Sequence, residues 1–183
     1  MFQMTQSVHV VAPPNTPLGE GPRRLVTNAE VAEVLFNIAT LLEMQRDNPY
    51  RVAAYRNAAR GTLAQNEAIA DIIARGDQLR WPGLGERLRR KIAELVRTGH
   101  MMFYDELCES SLPQDARELM TVPHIGPKTA LRLVDLLDIH SVAQLLEASQ
   151  AHRLRQYYRF GARSEQRLAD SARAVLAGRD AAA

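Results

Sequence analysis

The stretch Pro82-Gly83-Leu84-Gly85-Glu86-Arg87-Leu88-Arg89-Arg90-Lys91-Ile92 constrains this chain more than any other. A Pro-Gly-apolar-Gly turn opens directly into a basic amphipathic helix. Leu88, Ile92, Leu95 and Val96 form its apolar stripe, and Arg87, Arg90, Glu94 and Arg97 point away from it. Lys91 falls between the two sides. Gly83 and Gly85 let the backbone turn tightly and approach a ligand closely. The helix then aims its free amide N–H groups and the positive end of its dipole over the turn, a geometry suited to a phosphate. The pattern recurs at Pro123-His124-Ile125-Gly126-Pro127-Lys128-Thr129-Ala130-Leu131-Arg132-Leu133, 41 residues on. A weaker third copy, Tyr158-Arg159-Phe160-Gly161-Ala162-Arg163-Ser164-Glu165-Gln166-Arg167-Leu168, follows after 35 more. Phosphate-cradling turns repeated in this way predict a surface that follows a polynucleotide backbone.

Composition supports that reading only through its detail. The net charge is +2, yet Lys91 and Lys128 are the only lysines among 23 basic residues, and both lie inside the repeated motif. The other basic residues are arginines, whose planar fork donates to phosphate bidentately. A general Arg-for-Lys bias accounts for most of them, but not for the position of the two lysines. The single cysteine, Cys108, excludes an internal disulfide and a cysteine-based zinc site, and reads as a small hydrophobe on the helix carrying Phe103 and Leu107. No apolar run reaches membrane-spanning length, and the N-terminus lacks the basic start and long apolar core of a secretory signal. The expected compartment is a reducing cytoplasm, in association with the nucleoid, with no membrane partner.

The periodicity predicts an all-α chain, a helical bundle, with no segment of strand alternation. Residues 1–26 hold four of the nine prolines and read as a disordered tail. Order is expected to begin at Thr27-Asn28-Ala29-Glu30, a capping-box signature. Asp47-Asn48-Pro49 ends the first helix and starts a second, Tyr50 to Arg60. A third helix runs from about Glu67 to Ala74, before Gly76. Helices are further expected over residues 101–108, 113–120, 127–137, 142–148 (capped by Ser141) and 163–177. The domain reading is a tail (1–26), a helical domain with the first turn (27–100) and a second domain with the other two turns (101–179).

Asn48-Pro49-Tyr50-Arg51-Val52-Ala53-Ala54-Tyr55-Arg56-Asn57-Ala58-Ala59, followed by Trp81-Pro82-Gly83-Leu84-Gly85 through Lys91-Ile92-Ala93-Glu94 to Thr98-Gly99, resembles the N-terminal lyase domain of family X DNA polymerases. Residues 122–133, with Ile139-His140-Ser141-Val142-Ala143-Gln144-Leu145, look like the next helix-hairpin-helix module of those enzymes. Residues 158–168 resemble the third hairpin common in bacterial members. The chain also departs from the family. It lacks the paired aspartates of a polymerase palm after the hairpins and has no His-rich metal motif, its five histidines being scattered. Polymerase and metallonuclease activities are therefore not expected of this chain alone.

The resemblance implies specific roles. Lys91 takes the position of the family's Schiff-base nucleophile on an abasic deoxyribose, and Tyr55 matches a tyrosine near that pocket. Such a lysine must be partly neutral, which burial at the edge of the apolar stripe and neighbouring arginines favour. Arg51, Arg56, Arg87 and Arg90 are expected around it on the substrate phosphate. Arg51 stands where some members have lysine, and Tyr50 where some have histidine. Lys128, with Gly126 and Arg132, is assigned to phosphate binding, and Trp81 to core packing. The hairpin carbonyls, those of Leu79, Trp81 and Leu84 and of Met120, Val122 and Ile125, would hold Na+ or K+ bridging to DNA; no other cofactor is required. His124 replaces the usual first glycine of the second hairpin, where its side chain is expected to crowd the turn.

Two functional readings follow. One is a DNA-binding protein without sequence specificity, of DNA repair type, engaging gapped, nicked or abasic DNA, with lyase activity through Lys91 and a separate repair enzyme as partner. The other is a non-catalytic interaction or scaffold module of a repair or recombination complex, whose turns serve helix packing only.

Overall fold

In a computed structural model, residues 26–157 and 160–181 are described. The expected tail therefore lies outside the described residues apart from Val26, as do Tyr158 and Arg159 of the third turn. Among the described residues the structure is entirely helical, without strands. Contacts divide the chain into two units, residues 26–111 and 112–181.

The first unit starts where the capping box predicts. Glu30 N–H donates to Thr27 Oγ1 at 3.2 Å, and Thr27 N–H donates to Glu30 Oε2 at 2.8 Å, which satisfies two orphan donors at once. Helix α1 (Asn28–Met44) then buries Val31, Leu35, Ile38, Leu41 and Leu42 along one face. Asn48 caps α2 (Pro49–Leu63), accepting from Tyr50 N–H at 2.9 Å, with Pro49 at the first helical position. The two helices pack against each other more extensively than any other pair. Asn28 also fixes α3 (Ile69–Ala74): its Oδ1 accepts from Ile69 N–H, and its Nδ2 donates to the Glu67 carbonyl, both at 2.8 Å. Helix α4 (Glu86–Thr98) ends at Gly99, and α5 (Met102–Ser111) returns against α1. That contact carries Leu107 and Cys108 into the first unit's core, so the division falls after Ser111 rather than after His100.

The second unit comprises α6 (Gln114–Leu119), α7 (Pro127–Leu137), α8 (Val142–Gln150), a 3-10 turn (Leu154–Gln156) and α9 (Ala162–Asp180). Leu119, Val122, Ile125, Leu133, Ile139, Leu145, Leu154 and Ala172 form its core. Ser141 caps α8 through Gln144 N–H at 3.2 Å, as its sequence predicts. The 3-10 turn was not foreseen. It is pinned by Glu165, a buried carboxylate on α9 that accepts from Arg155 Nε at 2.5 Å and from Arg155 N–H at 3.1 Å. Burial pushes the Glu165 carboxyl up, but these bonds outweigh it and hold it below the usual range.

Candidate nucleic-acid interface

The three repeated turns share one closing hydrogen bond. Leu84 N–H donates to the Trp81 carbonyl at 3.2 Å, Ile125 N–H to Val122 at 3.2 Å, and Phe160 N–H to Tyr157 at 3.1 Å. The residue after each donor is a glycine in extended conformation that opens a helix: Gly85 before α4, Gly126 before α7 and Gly161 before α9. None of these glycines can cap with a side chain, so all three helix starts lack a side-chain cap; α7 opens on Pro127, which has no N–H of its own, so its first free donor comes one residue later. Helices α1, α2 and α8 of the same protein are capped by Thr27, Asn48 and Ser141, whereas the short α3 and α6 also go without a side-chain cap.

Two glycines of the first turn serve different ends. Gly83 has φ +81°, a left-handed conformation that suits glycine. Gly85 has φ −73° and ψ 161°, which any residue adopts, and a Cβ there would meet only open space. Nothing inside the protein requires Gly85 to lack a side chain. The space in front of its backbone is open to an outside group. In the second turn His124 takes the position of Gly83 and its left-handed conformation, with φ +71°. Its side chain is exposed, and the turn closes with the same Ile125–Val122 hydrogen bond. The substitution that was expected to crowd this hairpin is thus accommodated outward, at the cost of local backbone strain.

The first turn has a support that the second lacks. Trp81 lies against Gly61 of α2, so closely that a Cβ on Gly61 would stand 2.4 Å from indole Cδ1 and Nε1. The packing role expected for Trp81 is therefore specific: Gly61 admits the indole edge, and the indole anchors the turn. Leu79 and Leu84 are buried beside it in the chain.

Lys91 stands six residues past Gly85, half-buried. Its Nζ lies 3.7 Å from the centroid of the Phe103 ring on α5. The Arg51 guanidinium carbon is 5.0 Å from the same centroid, and the Tyr55 ring stacks on Phe103 at 6.0 Å and 13°. Three helices thus converge on one corner, with Arg51 and Tyr55 from α2, Lys91 from α4 and Phe103 from α5. Burial lowers the Lys91 pKa; Glu94 opposes this, Arg51 reinforces it and Glu106 opposes it. Tyr55 is buried, and burial raises its phenol while the Arg51 guanidinium beside it pulls the other way. Tyr55 is thus the buried member of the stack, with Phe103 against its ring.

The other expected arginines lie elsewhere. Arg56 pairs with Glu43 of α1 at 2.6 Å, bordering a cleft lined by Asp47, Pro49 and Val52. Arg90 faces solvent and pairs with Glu86 at 3.5 Å, and Arg87 is exposed on the same helix. Of the four arginines expected around Lys91, Arg51 alone shares the Phe103 ring, and it is also paired with Asp47 at 2.8 Å. Tyr50 is 85% exposed and is not part of the corner's aromatic stack. The sequence singles out no role for Phe103. Its helical spacing with Leu107 gives no signal of one, because its partners are contributed by two other helices.

In the second unit Gly126, Lys128 and Arg132 follow one another along the start of α7, with Lys128 and Arg132 exposed. Among the described residues no group of His, Cys, Asp and Glu could hold a metal ion. The turn carbonyls expected to hold Na+ or K+ are mostly free of backbone hydrogen bonds. Those of Leu79, Leu84, Met120 and Ile125 accept no backbone hydrogen bond from a described residue, and those of Trp81 and Val122 accept one each.

Comparison with known proteins agrees with this geometry. Residues 26–101 match a helix-hairpin-helix domain family, and residues 116–174 match a SAM-like helix-hairpin-helix tandem. The chain is also similar to the DNA polymerase/3'-5' exonuclease PolX of Bacillus subtilis (strain 168), at 24% identity over 139 residues. That alignment takes in 76% of this chain and 24% of the relative, so the chain spans about a quarter of that protein's length. No helix among the described residues is long and apolar enough to cross a membrane. Both matched regions are thus helix-hairpin-helix domains, and the chain is similar to part of a DNA polymerase/3'-5' exonuclease.

Proposed function

We propose that this protein binds DNA through phosphates, with little regard to base sequence, and acts on damaged or interrupted strands. The observation that carries the reading is the threefold recurrence of one turn with an uncapped helix start behind an extended glycine. Amides and arginines that contact phosphate position a duplex without reading its bases. The similarity to a DNA polymerase/3'-5' exonuclease supports DNA as the ligand. Na+ or K+ held by the turn carbonyls of Leu79, Trp81 and Leu84, and of Met120, Val122 and Ile125, would extend the positive surface toward a phosphate. A separate repair enzyme would complete the reaction sequence.

Lys91 supplies the chemistry in this reading, that of a deoxyribose-phosphate or abasic-site lyase. Its neutral amine adds to the aldehyde carbon of a ring-opened abasic sugar, water leaves, and an imine forms. The protonated imine acidifies the neighbouring C–H, and loss of that proton expels the phosphate. Arg51 meets the phosphate, and Tyr55 holds Arg51 in place. Gapped, nicked and abasic strands are the substrates proposed.

Titration of DNA across a salt series tests the binding reading. If about four to six phosphates are contacted, log affinity falls against log salt with a slope of about −4 to −5 on duplex DNA. Base sequence changes it little. A flat salt response, or no binding of gapped DNA at low salt, overturns the reading in favour of a packing or scaffold role.

A further inference from the structure

The corner around Lys91 holds one group that no expectation assigned. Phe103 presents its ring to Lys91 Nζ at 3.7 Å, with the Arg51 guanidinium at 5.0 Å and the Tyr55 ring stacked at 6.0 Å. The face of an aromatic ring carries negative potential and attracts an ammonium. It offers a neutral amine much less. The carboxylates Glu94 on α4 and Glu106 on α5 favour the charged form in the same sense, whereas burial and Arg51 oppose it. The ring face therefore works against the burial that lowers the Lys91 pKa, and favours the charged, unreactive form of the amine.

We infer that Phe103 is a positioning residue for Lys91, whose ring face parks the ammonium in the corner and restrains its release as a nucleophile. The ring does two separable things. Its bulk excludes water from the amine, and its π face attracts the positive charge. Only the second restrains the amine. Removing the face at constant shape leaves the half-buried site, Arg51, Tyr55, Glu94 and Glu106 in place, and frees the nitrogen. A substrate whose phosphate draws on Arg51 would act on the same shared ring. The biological meaning of the inference rests on Lys91 being the reactive amine of the proposed lyase.

The test needs no DNA. The chain has two lysines, so competitive acetylation with acetic anhydride near neutral pH, read by peptide mass spectrometry, gives the rate at Lys91 against the exposed Lys128 in the same molecule. Pentafluorophenylalanine incorporated at position 103 keeps the ring's shape and reverses the sign of its face. It is expected to raise the Lys91-to-Lys128 ratio about three- to tenfold, the range of a cation–π contact at a partly buried site. Phe103→Tyr retains the face and is expected to leave the ratio within about twofold. Phe103→Leu, checked for folding by circular dichroism, is expected to raise it. An unchanged or lowered ratio in the fluorinated protein overturns the inference, whatever the leucine variant does. Failure to trap a DNA adduct would sink the lyase reading and leave the labelling result standing, so the two failures are distinguishable.

Discussion

The first and second hairpins have the same backbone and different side-chain surroundings. Both close a turn with a 3.2 Å hydrogen bond and open a helix behind an extended glycine. In both, a basic residue sits two positions past that glycine and another six positions past it. The first has Arg87 and Lys91 there, the second Lys128 and Arg132. The order of lysine and arginine is reversed, and the reversal has chemical consequences. Arginine stays protonated at any physiological pH and cannot serve as an amine nucleophile. Only in the first hairpin does a lysine occupy the sixth position, and only there does it enter a half-buried aromatic corner. Lys128 stands exposed at the outer end of α7. On the proposed reading, phosphate binding belongs to the shared backbone, and covalent chemistry to the first hairpin alone.

Substitutions can break this comparison at several levels. The largest loss of stability is expected from Gly61→Ala, since the first turn leans on an indole that leaves no room for a methyl group. Overpacking of this kind costs about 1–3 kcal/mol, which outweighs the better helix propensity of alanine. Thermal unfolding should show it, and the second hairpin has no such contact to lose. Gly85→Val comes next and acts on binding. Its backbone is ordinary and its surroundings open, so circular dichroism and melting should barely change. DNA affinity should fall about tenfold or more, equivalent to about 1.4 kcal/mol, because several amide donors lose access together. Arg87→Ala should cost less. If Gly85→Val binds DNA normally, the turn is a packing device.

A smaller and opposite pair of effects is expected at the left-handed position. Gly83→Ala should destabilise by about 1 kcal/mol, whereas His124→Gly should be neutral or mildly stabilising, because one site would gain the strain that the other sheds. Chemical denaturation of the two variants checks the signs. The smallest effect concerns pH and the second unit alone. His140 is gripped by Asp138 at 2.7 Å and Asp115 at 2.8 Å, and these two carboxylates raise its pKa. A raised value means that its stabilising contribution is complete below the ordinary histidine range and fades as pH climbs through the folded value. Melting temperature should therefore decline slightly from pH 6 toward pH 8, and His140→Gln should flatten that decline.

Local signals carried most of the fold. The Thr27 capping box, Pro49 behind Asn48, the cap at Ser141 and the apolar stripes placed every α-helix to within a few residues. These features are legible because each is written within one turn of chain. The site was legible only in part. Lys91, Arg51 and Tyr55 share the Phe103 ring, whereas Arg56 pairs with Glu43 across the α1–α2 contact. Phe103 looked like any apolar helix residue, and the fit of Trp81 to Gly61 joins residues 20 apart. Contacts of that kind leave no periodic trace in sequence. The Glu165–Arg155 pair and the 3-10 turn it fixes escaped for the same reason.

The division of labour between the two hairpins is tested most directly by borohydride trapping on abasic or incised DNA, with the N-terminal amine blocked. The wild-type protein is expected to form a covalent adduct near neutral pH. Lys91→Ala should abolish it while retaining most DNA affinity, and Lys128→Ala should keep it. An adduct that survives Lys91→Ala, or no adduct at all under conditions where DNA is bound, would contradict the assignment of chemistry to the first hairpin.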